Sequence, residues 1–286
     1  MTVVPSVGDL RRRLVAAVGF LEESQEADGG FPVAALLSQP PATAADNLFS
    51  TATVVALAGS ALRAACVARA ASYILGRRDG RGLWAWVPDG SLPPDADDTA
   101  CCLAALARTG SRVDRGRGVQ LLRSFWRPGG PFRTWLAGGA WDSPERDDPV
   151  VNCNVLWAMR ELGALHTAAE RAAVERMVAP HRGNTRYYCS EASVAWAAAR
   201  VGIPAPRLRP PRDADLAGRP LECALWSLAG GLPPAAAARL LETQEADGGW
   251  PAEPWVHDHL GAWGSRAVTA AFAIAALSNL VPPGWR

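Results

Sequence analysis

The heptapeptide QEADGGF, at Gln25 to Phe31, recurs almost unchanged as QEADGGW at Gln244 to Trp250. Chance duplication of six identical residues is improbable, so the two segments are interpreted as copies of one repeat. Each copy follows apolar residues at helical spacing, in DLRRRLVAAVGFLEES and in PPAAAARLLET, and weaker copies occur at GRRDGRGLW and WRPGGPF. The Gly-Gly pair is expected to supply a left-handed helix stop. The repeated unit is therefore a helix, a glycine turn and an aromatic residue.

Two kinds of predicted helix alternate along the chain. Segments that are apolar on nearly all faces are typical of helices in an interior: Asn47–Ser60, Asp97–Gly110, Val150–Gly163, Tyr187–Gly202, Pro220–Gly230 and Ser265–Leu280. Amphipathic segments, typical of outer helices, lie between them: Gly8–Ser24, Ala61–Leu75, Arg117–Trp126, Thr167–Ala179 and Pro233–Gln244. The outer helix expected before Pro220 is poorly marked. Because no alternating strand pattern competes, the sequence predicts an all-α (α/α)6 barrel, with residues 1–286 as a single domain.

Composition excludes several classes of protein. The net charge of +1 does not fit a nucleic-acid-binding surface, and all 29 basic residues are Arg, which excludes a lysine Schiff base or lysine nucleophile. The apolar run Leu14–Leu21 lacks the cleavage site of a signal peptide, and Ala267–Leu277 is too short to cross a bilayer. We therefore expect a cytoplasmic protein without a transmembrane segment, whose six Cys are reduced and mostly buried.

Three carboxylates are clustered in DADDTA, residues Asp95 to Ala100, at the start of a predicted inner helix. One interpretation is structural: Asp95 would be the N-cap, and the helix dipole would favour Asp97 and Asp98 in the first turn. A cap needs one carboxylate, however, and acids that head an inner helix face the barrel mouth. Crowded carboxylates cannot all ionise, so one of them keeps its proton at neutral pH. The cluster is therefore a candidate acid catalyst.

The segments FLEESQEADGGF, LLETQEADGGW and DADDTA resemble the QW repeats and the DxDDTA signature of squalene-hopene cyclases and related class II terpene cyclases. The resemblance implies a barrel in which the Gln ties an outer helix to the start of the next helix, while the aromatic residue packs over the turn. It implies cyclisation of a linear isoprenoid by protonation, with Asp97 as the general acid and Asp95 and Asp98 orienting it. The protonation needs no cofactor and no metal site, and Mg²⁺ would take part if the substrate is a diphosphate.

Aromatic side chains are expected around the acids, because their negative faces stabilise a carbocation without attacking it. The predicted substrate-binding residues are Trp84, Trp86, Trp226, Trp263, Tyr187 and Asn152. Packing in the core or over turns is expected instead for Trp126, Trp250 and Trp285. Other polar residues near inner-helix starts, Asn154 and Tyr188 among them, are expected to cap helices or fill the mouth, and one or two of them to quench the final cation.

The small size of one barrel favours a C15 or C20 substrate, and a prenyl diphosphate fits this range. A cluster of Arg77, Arg78 and Arg81 near the acid loop is interpreted as a solvated charge run rather than as a phosphate site. A barrel mouth lined with Trp needs a cover. We expect either a homodimer over the mouth or a lid formed by Gly129–Pro149 or Trp250–Gly264.

Three other functions stay open. Related cyclases have at least two barrels, so this single barrel could bind an isoprenoid, or complete another cyclase, without turnover of its own. A zinc-dependent subunit like those of the prenyltransferases needs a thiolate, a carboxylate and a His, which Asp148, Cys153 and either His257 or His259 could supply. An inverting glycosidase on the same barrel would use Asp97 as its acid.

Overall fold

A computed structural model describes residues 6–36, 46–87, 90–136, 141, 143–205, 207–210, 212, 216–230, 235–258 and 261–281. Within these ranges the helices along the chain are α1 (Val7–Ser24), α2 (Leu48–Ala58), α3 (Ala64–Gly76), α4 (Ala96–Arg108), α5 (Arg115–Arg123), α6 (Pro149–Glu161), α7 (Ala168–Val178), α8 (Glu191–Arg200), α9 (Pro220–Leu228), α10 (Ala235–Glu242) and α11 (Arg266–Ser278). None of these helices combines the length and the apolar character that a membrane span requires.

The inner helices form a closed ring, in which each contacts the next in the order α2, α4, α6, α8, α9, α11 and back to α2. Outer helices pack behind them: α1 on α11, α3 on α2, α5 on α4, α7 on α6 and α10 on α9. Burial on all faces explains the apolar inner segments, since every residue of α6 from Pro149 to Met159 is buried. The predicted all-α barrel is confirmed. No α-helix occurs in the described part of residues 203–219, where the sixth outer helix was poorly marked.

One inner helix begins later than its predicted segment, Tyr187–Gly202. The first residue of α8 is Glu191, because the Ser190 hydroxyl accepts a hydrogen bond from the backbone N–H of Ala192 at 3.0 Å and caps the helix there. The two tyrosines precede the helix, and Tyr188 forms an isolated antiparallel bridge with Val256. The apolar pattern therefore extends from the helix into a loop that is also buried.

A small antiparallel sheet, which the sequence analysis does not predict, lies beside the barrel mouth. Its strands are β1 (Ala34–Ala35), β2 (Val256–Asp258) and β3 (Gly261–Gly264), and the order in the sheet is β1-β3-β2. The longest strand has four residues, which is too short to produce a detectable alternation of apolar and polar residues.

The repeated glutamines connect neighbouring outer helices. The Gln25 side-chain amide donates to the carbonyl oxygen of Cys66 in α3 at 3.0 Å. In the second copy, Gln244 donates to the carbonyl oxygen of Arg13 in α1, also at 3.0 Å. Because Arg13 belongs to the first helix of the chain, the second copy closes the outer layer of the barrel. The near-identity of two segments so far apart therefore follows from equivalent positions in a ring.

The glycine pair of each repeat has a different role from the expected helix stop. Helix α1 ends at Ser24, ahead of the turn that contains Gly29. Positive φ angles of 99° at Gly29 and 90° at Gly248 let the chain turn back, and a Cβ atom at either position would clash with the carbonyl oxygen of Arg69 or Ala16. These glycines therefore allow the turn to approach the backbone of the neighbouring outer helix.

Replacing either Gln25 or Gln244 by Ala is expected to lower the free energy of unfolding by about 1–3 kcal/mol, because a half-buried carbonyl loses its donor. Thermal denaturation followed by circular dichroism measures the effect, and activity at low temperature should survive. Gln120→Ala is the matched control, since Gln120 is exposed on α5 and its side chain has no hydrogen bond within the described ranges; its effect should stay within about 0.5 kcal/mol. An unchanged melting temperature in either repeat variant would show that the glutamine hydrogen bond does not contribute to stability.

Candidate active site

A cavity of about 700 Å³ opens at the end of the barrel where α2, α4 and α6 begin. Its apolar and aromatic walls comprise Phe49, Trp86, Leu92, Trp135, Trp141, Val151, Tyr187 and Val256. The polar side chains that line it are Asp95, Asp97, Asp98, Thr134, Arg146, Arg186, His257 and Asp258. The cavity thus places the DADDTA acids among aromatic rings, with two arginines in the same lining.

Asp95 is the N-cap of α4. Its side chain accepts a hydrogen bond from the backbone N–H of Asp98 at 2.7 Å, and further backbone donors come from Asp97 and Trp86. Burial raises the pKa of Asp95, against the effect of these donors. The structural role considered for one carboxylate of the cluster therefore belongs to Asp95.

Asp98 is paired with Asp95 through their carboxyl groups. Burial, followed by the negative charge of Asp95 and the hydrogen bond between the two side chains, raises the pKa of Asp98 well above its usual range. Both carboxyl groups therefore ionise less readily than a free aspartate side chain. The Oδ1 atom of Asp98 has no hydrogen-bond partner within the part of the chain that the structure describes.

Asp97 points to the other side of the helix start and is held by two donors. The Tyr188 hydroxyl donates to Oδ2 at 2.6 Å, and the Asn154 side-chain amide donates to Oδ1 at 2.5 Å. Burial raises the pKa of Asp97 to about 7, and the negative charge of Asp95 acts in the same direction, whereas the two hydrogen bonds lower it. Asp97 can therefore hold a proton near neutral pH while it lines the cavity.

Asn154 is itself held by an arginine inside the barrel. The Arg200 guanidinium donates to the Asn154 Oδ1 atom, and its Cζ atom lies 4.0 Å from the ring centroids of both Trp157 and Trp196. Burial lowers the pKa of Arg200 to about 10, so the side chain stays charged at neutral pH. A chain of polar contacts therefore runs from α8 through α6 to Asp97 on α4.

Two of the predicted substrate-binding residues, Trp86 and Tyr187, line the cavity. Trp84 does not: it is fully buried, and its indole N–H donates to the carbonyl oxygen of Ile74 at 2.7 Å. It therefore packs over the turn between α3 and the acid loop. Trp84 and Trp86 are two residues apart, which in a regular strand would place both side chains on the same face, but the chain bends at Trp86. Closeness to the acids in sequence therefore does not distinguish Trp84 from Trp86.

The other three predicted binding residues also lie outside the cavity lining. Trp226 is buried, and its indole N–H donates to the Glu222 side chain at 3.3 Å. Trp263 on β3 lies behind Trp86, with their ring centroids 6.2 Å apart. The Asn152 side chain donates to and accepts from the backbone of Phe132, at 2.9 and 2.8 Å. None of these three side chains contributes to the surface of the cavity.

Packing interactions account for the tryptophans that were expected to be structural and are described. The indole N–H of Trp250 donates to the carbonyl oxygen of Leu240 at 2.7 Å, in the same way as Trp84. Trp126 packs edge-on against Phe132, with ring centroids 5.0 Å apart. Trp285 lies outside the described residues.

Several lining residues were not predicted as binding residues. Trp135 and Trp141 pack against each other with centroids 5.0 Å apart, and the Trp135 indole donates to the Tyr187 hydroxyl at 2.8 Å. They belong to the first predicted lid segment, and His257 belongs to the second, so the described parts of both segments line the cavity. Arg200 also contacts this network, but nothing in the local sequence indicates such a role. It is the last residue of α8 and lies far along the chain from the acids.

Two arginines of the cluster that precedes the acid loop are engaged elsewhere. Arg77 pairs with Asp46 at 2.9 Å, and Arg81 pairs with Asp79 at 3.0 Å. The guanidinium groups in the cavity lining belong instead to Arg146, which lies over the ring of Trp141 at 5.0 Å, and to Arg186. Neither has a carboxylate partner among the described residues.

Metal binding would be an alternative role for the polar residues of this region. No group of three or more His, Cys, Asp and Glu side chains suited to a metal ion occurs in the described ranges. Asp148 caps α6 by accepting the backbone N–H of Val150 at 2.8 Å, and burial raises the pKa of Cys153 to about 12. His259 lies outside the described residues. The described residues therefore do not assemble the zinc site considered for a prenyltransferase-like subunit.

Comparisons with solved structures agree on the fold. No protein-family model and no curated protein matches the sequence. The apo structure of the type II terpene cyclase MstE from Scytonema superposes with a TM-score of 0.70 over 96% of this chain and 98% of that chain, at 16% identity. The ent-copalyl diphosphate synthase from Streptomyces platensis gives a TM-score of 0.55 over 81% and 50%, at 22% identity. A glycosidase superposes with a TM-score of 0.52 over 96% of this chain and 98% of that chain, at 16% identity. At such low identities the comparisons establish the barrel fold. They do not establish the reaction, which has to be inferred from the residues of the site.

Proposed function

We propose that this protein is a protonation-initiated, class II terpene cyclase that acts on a linear C15–C20 isoprenoid, a prenyl diphosphate, with Asp97 as the general acid. One observation carries the proposal. A carboxyl group whose pKa is raised to about 7 lines a cavity with aromatic walls, where it can transfer a proton to a bound alkene. Residues 1–286 are proposed to form a single barrel domain.

The contacts of Asp97 suit an acid that must become a carboxylate during the reaction. As the alkene takes the proton, its π electrons form the new C–H bond and the O–H bond electrons remain on Asp97. Tyr188 and Asn154 already donate to both of its oxygens, so the negative charge that develops is stabilised without reorganisation. Burial keeps the proton on Asp97 beforehand, and the two donors strengthen the acid.

The cavity walls suit the cation that protonation creates. Rings of Phe49, Trp86, Trp135, Trp141 and Tyr187 surround the space, and their negative faces attract a cation without forming a bond to it. The volume of about 700 Å³ lies within the range of small-molecule sites, roughly 300–1,000 Å³. Aromatic walls also limit the water that would otherwise trap the cation.

The two arginines in the lining support an anionic head group on the substrate. Guanidinium groups bind phosphate oxygens through paired, charge-assisted hydrogen bonds. Arg146 and Arg186 have no carboxylate partner within the described ranges, and both of their charges act on Tyr187 in the cavity wall. MstE has been solved in complex with geranylgeranyl dihydroxybenzoate, which also joins a prenyl chain to a polar head.

One alternative uses the same cavity without chemistry: a barrel that binds an isoprenoid or completes another cyclase. A glycosidase shares the fold, so the barrel by itself does not dictate a reaction. The homodimer over the mouth and the closing lids also stay predictions. Turnover by the isolated chain separates the cyclase from this alternative.

Purified protein is incubated with farnesyl and geranylgeranyl diphosphate, each with Mg²⁺ and with EDTA, and products are identified by mass spectrometry before and after phosphatase treatment. We expect a cyclic product that retains its diphosphate and still forms in EDTA, because protonation requires no metal. Tight binding of both substrates without any product would favour the binding barrel. Products that have lost the diphosphate would indicate ionisation instead of protonation.

A further inference from the structure

We infer that Arg200 is a positioning residue for the acid: it fixes the Asn154 amide so that the NH₂ group, and not the carbonyl oxygen, faces Asp97. The inference rests on the proposed function only in taking Asp97 as the acid. The structure shows a directed chain of hydrogen bonds that begins at a partly buried cation.

Hydrogen-bonding capacity sets the direction of this chain. Arg is a donor without any acceptor, so the side of Asn154 that meets Arg200 must be the carbonyl oxygen. The NH₂ group then points away and donates both to Asp97 at 2.5 Å and to the Tyr188 oxygen at 3.1 Å. Because that oxygen already accepts from Asn154, the Tyr188 proton is directed to Asp97 at 2.6 Å. Arg200, which can only donate, thus sets the orientation of both donors to Asp97, the Asn154 amide and the Tyr188 hydroxyl.

The surroundings hold Arg200 in one position. Its guanidinium plane lies between the rings of Trp157 and Trp196, with 4.0 Å from Cζ to each centroid. The space beside it, which Trp255 and Thr53 also line, has about 10 Å³, at the lower limit for a single water molecule. In Arg200→Met an apolar side chain would occupy the same space and offer no donor to Asn154. The amide would then be free to rotate and present its oxygen to Asp97.

The charged and titratable groups that face Asp97 come from several elements. They are Asp95 and Asp98 at the start of α4, Cys101 further along α4, Asp148 at the cap of α6, Tyr188 ahead of α8, and Arg200 at the end of α8. Arg200 is the cation of this set, and the three aspartates oppose ionisation of Asp97. Losing Arg200 should therefore raise the pKa of Asp97, by removing a positive charge and by releasing the Asn154 amide.

The titration of Asp97 tests the inference directly. Protein labelled with ¹³C at the aspartate carboxyl carbons is titrated by NMR, and the Asp97 signal is assigned by its absence in Asp97→Asn. In Arg200→Met the midpoint should move upward by about one pH unit or more, and in Asn154→Leu by a similar amount. The double variant should move no further than the larger single one, because Arg200 acts through Asn154.

Arg171→Met is the matched control. Arg171 donates to the carbonyl oxygens of Val201 and Gly202 just beyond α8, so it anchors the same helix end without reaching the acid. Its Asp97 midpoint should match that of the unmodified protein. If Arg200→Met does not fold, Arg200→Lys replaces it in the cycle; it keeps the charge but loses the planar stacking, so a smaller upward shift is expected.

An unchanged midpoint in a folded Arg200 variant, or shifts that simply add in the double variant, would overturn the inference. These outcomes are separate from failure of the proposed function. A protein that makes no cyclic product, but whose Asp97 midpoint responds as described, would refute the cyclase and keep the role of Arg200. An active cyclase whose Asp97 midpoint is the same with and without Arg200 would support the proposed function and refute the role of Arg200.

Discussion

Asp97→Asn should abolish product formation by at least about a thousandfold, because general acid catalysis contributes roughly 10²–10⁴-fold and the amide has no proton of suitable acidity. The fold should be nearly unchanged. Asp95, and not Asp97, caps α4, so the helix start is preserved. The Tyr188 hydroxyl can accept as well as donate, so it can pair with the new NH₂ group. Product yield and melting temperature, measured on the same preparation, check both parts.

Asp95→Asn is the matched comparison for this variant. It changes the cap and the carboxyl pair with Asp98, and it leaves the proton of Asp97 in place. We expect a smaller loss of activity than in Asp97→Asn, because this variant keeps the proton donor, and only a small change in stability, because Asn caps helices about as well as Asp. The reverse order, with an active Asp97→Asn enzyme, would end the proposal that Asp97 is the acid.

The double variant Arg146→Met with Arg186→Met should lower kcat/KM for a prenyl diphosphate by about a hundredfold or more, since charge-assisted hydrogen bonds contribute roughly 1.5–3 kcal/mol each. The effect should be in KM rather than in kcat, because these residues are proposed to hold the head group and not the alkene. The corresponding prenyl alcohol should be converted at an unchanged rate, since it carries no charge for the guanidinium groups to bind. Steady-state kinetics with both substrates measures the difference.

Arg81→Met controls for the loss of positive charge. Arg81 is exposed and paired with Asp79, outside the cavity, so its removal should leave both substrates unaffected. Equal losses with the diphosphate and the alcohol in the double variant would show that the arginines support the cavity wall and do not recognise the head group.

Regular spacing made the barrel predictable from the sequence. Helices apolar on all faces and amphipathic helices alternate, and the QEADGG copies mark equivalent positions in the outer layer. The sequence was less informative where residues are buried but do not belong to a helix. Tyr187 and Tyr188 are apolar enough to extend a helical pattern, yet they precede α8 in a buried loop. Trp84 and Trp86 look alike in sequence, but only Trp86 lines the cavity.

By itself the sequence determined the alternation of inner and outer helices and the position of the DADDTA acids at the start of an inner helix, because helical periodicity and capping act over a few neighbouring residues. The sequence also indicated Asp95 as the cap of α4. Only the tertiary structure decided that Asp97 faces two donors at the cavity. Those donors, Tyr188 and Asn154, lie 91 and 57 positions from Asp97, and Arg200 lies 46 positions from Asn154. A pKa depends on burial and on charges within a few ångströms, and such neighbours come from helices that only the closed ring brings together.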